Sequence, residues 1–246
     1  MSDSRDTGPA AESRGEVGIV HADAPEVAGR IFEGRMDEAE RFVALLHEHG
    51  VTRGVIGPRE LDRLWDRHII NSALIAELVP KDALVVDAGS GAGLPGIPLA
   101  LARPDLRITL LDSMARRVQW LQEMVTELGL GRVEVVRARV ESSGIVGADV
   151  VTARAVAPLG KLARWCLPLL REGGSLLALK GASAAEELER DRNEMAAAGG
   201  VDPRIVQCGS DRVDETATVV VVTRRGGGNR GRASRSGRRG RSTRNA

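Results

Sequence analysis

The chain has 246 residues, 42% of them hydrophobic, and a formal net charge of +1 at pH 7; this length and apolar content suffice for the core of one good-sized domain with extensions. Two cysteines are too few for a disulfide framework, and the four histidines lack ligand spacing with them, so we expect no bound metal. No apolar run is long enough to span a membrane and residues 1–16 lack a hydrophobic signal core, which predicts a cytoplasmic protein with no membrane partner.

Helical periodicity dominates the chain up to residue 80. Phe42, Leu45 and Leu46 share one helical face, and the apolar period continues over residues 69–79. We therefore predict a helical cap over residues 31–80, preceded by a disordered or extended N-terminus over residues 1–30.

From residue 81 onward, short apolar runs alternate with helical patterns. This alternation is typical of βαβ units and predicts an α/β domain with a parallel sheet over residues 81–223. The predicted strands cover residues 84–86, 108–111, 133–136, 150–151, 176–179 and 217–222, with a turn at residues 172–174 before the fifth. The predicted helices cover residues 97–101, 113–128, 159–170 and 184–198.

The chain ends in an arginine-rich tail. Residues 224–246 contain nine arginines and no acidic residue, which leaves 26 basic and 34 acidic residues, a formal charge of −8, before them. Together with its glycines and serines, this composition cannot bury a core, so we predict a disordered tail. Arginine-rich segments of this kind follow nucleic-acid backbones, and a solubilising extension is the alternative interpretation.

A glycine-rich turn follows the first predicted strand. The sequence there reads Asp87-Ala88-Gly89-Ser90-Gly91-Ala92-Gly93-Leu94. Glycines at alternate positions let the backbone turn sharply and approach a ligand that a Cβ atom would keep away. A dinucleotide fingerprint needs glycine where Leu94 stands, which disfavours a nicotinamide-dependent dehydrogenase. The D-x-G-x-G-x-G pattern instead resembles the first motif of S-adenosylmethionine-dependent methyltransferases, whose cofactor has no phosphate.

Polar residues follow several other predicted strands. Asp112 ends the second strand, about 20 positions after the loop, where an acidic residue accepts hydrogen bonds from ribose hydroxyls. The alternative is that Asp112 only caps the helix that begins near Ser113. Ligands of open parallel sheets bind beyond the carboxyl ends of the strands, so residues 137–141, Arg154 and Lys180 are further candidates. Their basic groups suit an anionic polymer, and solvated loop charge is the alternative.

Several strings of residues together resemble the glucose-inhibited division protein B family. They are Arg67-His68-Ile69-Ile70-Asn71-Ser72, residues 89–100, Leu110-Leu111-Asp112-Ser113 with Arg117, Arg139-Val140-Glu141, Ala153-Arg154-Ala155 and Ala178-Leu179-Lys180-Gly181. The similarity runs from about residue 42 to residue 222, and residues 57–68 resemble an actinobacterial branch. The family transfers a methyl group from S-adenosylmethionine to guanine N7 in small-subunit (16S) ribosomal RNA. The resemblance therefore implies a class I (Rossmann-like) methyltransferase with a mostly parallel seven-stranded sheet.

The resemblance also implies a set of site residues. Those for S-adenosylmethionine are Gly89, Ser90, Gly91, Gly93, Leu94, Asp112, Ser113, Val140, Glu141 and Arg154. Of these, Gly89 and Leu94 are expected to line the methionine pocket, Asp112 to hold the ribose, and Val140 and Glu141 to lie against the adenine. Those for the RNA are Arg67, His68, Arg139 and Lys180.

The chemistry of guanine N7 needs no catalytic base, because this nitrogen has an available lone pair and no proton to remove. Arg154 and Lys180 are therefore expected to clamp phosphate or the donor's carboxylate rather than to transfer protons. His68 is expected either to contact substrate or to be a structural histidine. Pyrimidine C5 transfer would need a cysteine nucleophile, but Cys166 lies in an apolar helical pattern and is expected in the core.

The implied partner is 16S ribosomal RNA or the small ribosomal subunit, with the protein acting as a monomer. A methyltransferase for a protein or small molecule, and a non-catalytic RNA-binding protein that acts through its basic tail, are the alternatives. All three tryptophans, Trp65, Trp120 and Trp165, fall on apolar helical faces and are expected in the core. The sequence therefore identifies no residue that stacks on the target base.

Overall fold

The computed structural model describes residues 24–211 and 216–226. The N-terminus predicted as disordered or extended over residues 1–30 lies outside these ranges up to residue 23, and the tail predicted as disordered over residues 224–246 lies outside them from residue 227. For those residues both interpretations stay predictions. Within the described chain, residues 26–30 are helical rather than extended, with Ala28 buried, and Arg224 ends the last strand.

A seven-stranded sheet forms the centre of the described chain. Its strands are β1 (Leu84–Ala88), β2 (Arg107–Asp112), β3 (Val133–Arg137), β4 (Ala148–Arg154), β5 (Leu170–Lys180), β6 (Gly200–Cys208) and β7 (Ala217–Arg224). Their order is β3-β2-β1-β4-β5-β7-β6, and only β7 runs antiparallel to its neighbours β5 and β6. The predicted mostly parallel α/β sheet is therefore confirmed.

Helices cover both faces of this sheet. The α-helices are α1 (Glu26–Ile31), α2 (Met36–His49), α3 (Asn71–Ala73), α4 (Gly96–Ala102), α5 (Ala115–Glu127), α6 (Leu159–Cys166) and α7 (Ala184–Ala197). A π-helix (Leu64–Ile70) lies between 3₁₀ segments at Pro58–Arg63 and Leu74–Leu78, with α3 in between, and shorter 3₁₀ turns occupy Val140–Ser142 and Leu167–Leu169. Val85 and Val86 of β1 belong to different hydrophobic clusters, because successive strand residues point to opposite faces.

The helices before residue 80 share a core with one face of the sheet. Phe42 and Leu46 of α2, and Ile69 of the π-helix, are fully buried in the same cluster as Ile97 and Ile108. This packing fixes the helices between residues 26 and 80 against β2 and α4, so that they can contribute side chains at the end of the sheet. The division into a cap and a methyltransferase domain stays a prediction.

The sequence prediction missed β6. Pro203 lies within this strand and has no N–H group for the ladder, which disfavours a strand assignment. Two features accommodate it: β6 is the outer strand of the sheet, and its register with β7 shifts between Val201 and Arg204. An edge position with a bulge is the place where a strand tolerates proline.

Two other predicted boundaries are wrong. The helix predicted over residues 159–170 ends at Cys166 and continues only as a 3₁₀ turn, since Pro168 cannot donate the next helical hydrogen bond. β5 begins at Leu170, well before the predicted start at residue 176. The turn expected at residues 172–174 is an irregular stretch inside this strand, where Gly173 adopts a φ of 73°.

Candidate functional site

A cavity of about 730 Å³ opens at the carboxyl ends of β1 to β4. One side, here called the glycine wall, consists of residues that follow β1, β2 and β3: residues 89–92, Leu94, residues 111–114, Arg117 and residues 138–141. The other side, here called the tryptophan wall, comprises Glu60, Arg67, His68, residues 154–156, Lys161 and Trp165. Residues 55–57 complete the lining.

Two glycines of the loop after β1 occupy backbone positions that a side chain could not share. Gly89 has a φ of 73°, and a Cβ atom there would lie 2.9 Å from Val156 Cγ2. Gly93 has a φ of 99°, and its Cβ would lie 2.4 Å from Ile97 Cδ1. The first glycine lets Val156 pack against the loop, whereas the second lets α4 do so. Gly93, although predicted as a cofactor contact, does not line the cavity.

The loop binds most of its own N–H groups. Those of Gly89 and Ser90 donate to Leu111 O, and those of Gly93 and Leu94 donate to Ser90 O. A pyrophosphate-binding loop instead turns its free N–H groups toward the ligand. The glycine wall therefore fits a nucleoside cofactor without phosphate, such as S-adenosylmethionine, better than a dinucleotide.

Asp112 holds the loop from the end of β2 and borders the cavity. It is only 4% exposed; Oδ2 accepts the Gly91 N–H at 3.0 Å, and Oδ1 accepts the Met114 N–H at 2.9 Å. Asp112 thus binds the N–H of Met114, the residue before α5, and also borders the cavity, while its role as the ribose ligand stays a prediction. Each carboxylate oxygen can accept a second hydrogen bond, so the group can still receive ribose hydroxyls. Arg117 Nη1 lies 3.6 Å from Oδ2, and the buried Nε of this lining residue has no protein partner in the described chain.

Asp87, the acidic residue of the motif, lies behind the glycine wall and is fully buried. Its carboxylate accepts the Gly96 N–H at 3.1 Å and the Thr152 hydroxyl at 2.9 Å. These contacts join β1 to the start of α4 and to β4. Burial raises the pKa of Asp87 to about 6, against the opposing effect of the hydrogen bonds from Thr152 and Gly96.

On the tryptophan wall, Arg154 connects the end of β4 to the π-helix and α3, which together are called the helical segment (residues 64–73). Nη1 donates to Ser72 Oγ at 3.0 Å and to His68 O at 3.3 Å, and Nη2 donates to Arg67 O at 3.1 Å. Nη2 also lies 2.6 Å from His68 Nδ1. The two Nη groups thus have protein acceptors, and the expected role of Arg154 as a clamp for the donor's carboxylate stays a prediction.

His68 is held in its neutral form between two charged residues. Arginine has no acceptor, so Nδ1 must accept from Arg154; Nε2 then carries the proton and donates to Glu60 Oε2 at 2.8 Å. Burial lowers the pKa of His68, and the positive charge of Arg154 lowers it further. Both ring nitrogens are occupied, so His68 is not poised to accept a proton from a substrate.

The three tryptophans differ in their surroundings. Trp65 and Trp120 are 5% and 1% exposed, as predicted, and the Trp120 indole N–H donates to Ala92 O at 3.0 Å. Trp165 is only half-buried: it packs against the core cluster and also borders the cavity, so the core prediction holds only in part for this residue. The Lys161 ammonium lies 4.6 Å from the centroid of its ring.

The spacing within α6 explains why the core prediction for Trp165 holds only in part. Leu162, Ala163 and Cys166 face the core, and Trp165 lies at the edge of that apolar stripe. Lys161 precedes it by four residues, which places both on one helical face. A lysine and a tryptophan at this spacing were the signal that α6 presents a second, partly exposed surface.

The remaining predicted residues divide between the cavity and its surroundings. Ser113, Val140 and Glu141 line it, as does Arg139, whose side chain is 75% exposed. Lys180 does not, because its ammonium is bound by Glu187 at 2.7 Å and by Ala157 O at 3.0 Å. The lining residues that the sequence prediction left out are Val55, Ile56, Gly57, Glu60, Leu111, Met114, Arg117, Ala155, Val156, Lys161 and Trp165.

Cys166 is fully buried, as predicted, and burial raises the pKa of its thiol to about 12. It therefore has no thiolate for nucleophilic catalysis. Within residues 24–211 and 216–226, no three His, Cys, Asp or Glu side chains gather as metal ligands. No helix in this part of the chain is long and apolar enough to cross a bilayer.

Comparisons with known proteins agree with this geometry. The GidB family model, described as rRNA small subunit methyltransferase G, matches residues 35–216. The chain is 51% identical over 224 residues to ribosomal RNA small subunit methyltransferase G of Mycobacterium sp. (strain KMS), covering 89% of this chain and 99% of that protein. It is 53% identical over 206 residues to the protein of the same name from Rhodococcus jostii (strain RHA1), covering 82% of this chain and 90% of that protein.

Solved structures match the fold at low sequence identity. An S-adenosylmethionine-dependent methyltransferase from Aquifex aeolicus is 17% identical, with a TM-score of 0.51 over 72% of this chain and 98% of that one. The S-adenosylmethionine-dependent methyltransferase SibL is 18% identical, with a TM-score of 0.52 over 80% of this chain and 77% of that one. These similarities establish the class I methyltransferase fold.

Proposed function

Because this chain belongs to the GidB family, rRNA small subunit methyltransferase G, we propose that it transfers a methyl group from S-adenosylmethionine to N7 of a guanine in 16S ribosomal RNA. The observation that carries the proposal is the cavity with two unlike walls at the carboxyl ends of β1 to β4. One wall has the carboxylate and glycine loop that a nucleoside donor needs, and the other has the cations and aromatic ring that suit RNA. The enzyme acts as a monomer in the cytoplasm.

The glycine wall supplies the donor site. Asp112 accepts the ribose hydroxyls, Val140 and Glu141 flank the adenine, and Gly89 and Leu94 border the methionine moiety. When bound, S-adenosylmethionine supplies an electrophilic methyl group on a sulfonium centre. Because the loop is already fixed by Asp112 and Leu111, binding does not require the backbone to be ordered first.

The tryptophan wall suits an acceptor that needs no base. His68 uses both ring nitrogens within the protein, and the two Nη groups of Arg154 donate to protein acceptors. Guanine N7 offers its lone pair without losing a proton, so positioning supplies the rate enhancement. Positive charge develops on the purine during transfer, so Glu60 or Glu141 stabilises it better than a nearby lysine would.

Two exposed arginines at the cavity contact the RNA backbone. The side chain of Arg67 is 51% exposed and that of Arg139 is 75% exposed. Their ion pairs with Glu60 and Glu141 are long, at 3.7 Å and 3.8 Å, so phosphate can compete for both guanidinium groups. Lys180 lies outside the cavity in a closer ion pair with Glu187, at 2.7 Å, so its ammonium is less available to RNA than either guanidinium group.

The test uses small ribosomal subunits from a strain that lacks this gene. They are incubated with the purified protein and S-adenosylmethionine labelled in its methyl group, and mass spectrometry then maps the label. The proposal predicts one 7-methylguanine in 16S RNA that is also present in the parent strain. Label in a ribosomal protein, or in free small molecules, would favour the alternative acceptors. Unlabelled subunits together with retained RNA binding would favour a non-catalytic protein.

A further inference from the structure

Trp165 is the largest aromatic side chain with access to the cavity. The chain contains three tryptophans, two phenylalanines and no tyrosine, and all five aromatic residues fall within the described ranges. Phe32 and Phe42 are fully buried, and Trp65 and Trp120 are nearly so. Of these five side chains, only that of Trp165 lines the cavity. His68 also lines the cavity, but it is only 8% exposed, so among the described residues the indole of Trp165 is the larger and more exposed aromatic surface that a base in the cavity can meet.

The order of the strands places Trp165 on the acceptor side. The donor residues follow β1, β2 and β3, which lie together on one side of the sheet. β4 neighbours β1 on the other side, and Trp165 lies in α6, which directly follows β4. Val156, between them in the chain, lies against Gly89 of the donor loop. Both the glycine loop and the indole ring line the same cavity.

The backbone after β4 is strained at the cavity. Ala155 adopts a φ of 53°, in the left-handed region that residues with a Cβ atom rarely occupy. Such conformations are unfavourable and cluster at functional sites. The strain occurs at the residue that separates Arg154, bound to the helical segment, from Val156, which borders the donor loop.

The electrostatics of the ring suit the proposed reaction. The Lys161 ammonium lies 4.6 Å from the indole centroid, which shows that this π-face attracts cations; a base that stacks on this face must displace the ammonium. Methylation of N7 leaves a positive charge on the purine. An indole in contact with the base therefore stabilises the charge that develops in the transition state, in addition to stacking on a neutral guanine.

We propose that Trp165 stacks on the target guanine and positions its N7 for methyl transfer. This inference rests on the proposed function and assigns the residue that recognises the unstacked base. Base stacking on an aromatic side chain is sequence-tolerant, so Trp165 holds the base while other contacts select the nucleotide.

The test compares Trp165→Phe with Trp165→Leu in methyl transfer to small subunits from the gene-deleted strain, with S-adenosylmethionine at saturation. Phenylalanine keeps an aromatic face, whereas leucine keeps only apolar volume. We expect Trp165→Leu to lower kcat/KM for subunits about 10- to 100-fold and Trp165→Phe to retain most of it. The affinity for S-adenosylmethionine, measured by calorimetry, should not change. Arg164→Ala is the control, since Arg164 lies on the same helix, outside the lining, and pairs with Glu194.

Intrinsic fluorescence provides a second readout. Trp65 and Trp120 are buried, so subunit binding should quench the emission of Trp165, and Trp165→Phe should lose that quenching. Wild-type activity in both variants would overturn the inference. So would a parallel loss of activity and thermal stability in both, because Trp165 would then be a packing residue. If the wild-type protein itself transfers no methyl group to subunits, the proposed function fails together with the inference.

Discussion

The two walls of the cavity are built in different ways. The glycine wall is held by backbone hydrogen bonds and by one carboxylate, so its shape is set by the loop after β1 and the acid that ends β2. The tryptophan wall is held by side chains that meet across long stretches of sequence, as in the contact between Arg154 and Ser72, which are 82 positions apart. The first, the proposed donor site, is preformed by the backbone, and the second depends on the helices before residue 80 docking against β4.

The largest expected effect is the loss of donor binding in Gly91→Asp. The variant places a new carboxylate beside Asp112, in a loop whose φ of 58° leaves little freedom, and like charges in contact cost several kcal/mol. Calorimetric titration with S-adenosylmethionine should show no binding heat. Gly129→Asp is the matched control, because Gly129 has a φ of 57° and open space around it, away from the cavity. Wild-type affinity in Gly91→Asp would remove the glycine wall from the account.

The second-largest expected effect is on the pH dependence of the free energy of unfolding, and it arises from Asp87, which lies behind the glycine wall. The pKa of Asp87 is about 6 in the folded protein, whereas that of an ordinary aspartate is 3.8, so folding favours the protonated form of Asp87. Its contribution to the free energy of unfolding therefore falls as the pH rises from about 4 to about 6, by up to about 3 kcal/mol. In Asp87→Asn, an amide can still accept from Gly96 and donate to Thr152. Urea unfolding should show the variant gaining stability over wild type across this range; parallel pH profiles would contradict the prediction.

Asp112→Asn should weaken S-adenosylmethionine binding about 10- to 100-fold, because the loss of a hydrogen bond to a charged group lowers the affinity by about this factor. Both carboxylate oxygens accept backbone N–H groups, so either orientation of the amide sets its NH₂ group against one of them. Asp105→Asn is the control at the opposite end of β2, where Asp105 binds Arg103. The control should lose stability without losing donor affinity. Equal affinities in the two variants would argue against Asp112 as the ribose ligand.

The smallest expected effect is the contribution of His68, on the tryptophan wall, to the pH dependence of stability. This contribution rises with pH, whereas that of Asp87 falls. Burial and Arg154 lower its pKa below 6.5, so its contribution to stability is present above that pH and is lost as the pH falls below it. Glu60 acts in the other direction, which keeps the effect modest. His68→Asn should remove this acid sensitivity in urea unfolding between pH 5 and 8. An unchanged profile would show that His68 does not titrate in this range.

The glycine wall could be predicted from sequence because its determinants are local. Alternate glycines and an acid at the end of the next strand appear as a contiguous pattern, and the sheet follows from alternating apolar runs. A local pattern does not distinguish ligand contact from packing at Gly93. The motif predicts a cofactor contact there, but the structure shows that this glycine makes room for Ile97. β6 escaped prediction because Pro203 is acceptable only at an edge bulge, and edge position is a property of the whole sheet.

The tryptophan wall could be predicted only in part. The string around Arg67 and His68 was identified by resemblance, but its hydrogen bonds to Arg154 depend on the docking of the helical segment. Helical periodicity predicts Trp165 in the core because it distinguishes the buried face of a helix from the exposed face. It does not show where that helix borders a cavity. Lys180 was assigned to RNA from its place at a strand end, and its ion pair with Glu187 of α7 was not foreseen.

The central claim is that the donor binds the glycine wall and leaves the tryptophan wall open to the guanine. A crystal structure of the protein with S-adenosylhomocysteine tests it most directly. The account predicts ribose hydroxyls within hydrogen-bond distance of the Asp112 carboxylate, the adenine beside Val140, and an indole at Trp165 that the ligand does not touch. A ligand seated against Trp165, with Asp112 free of ribose contacts, would contradict it.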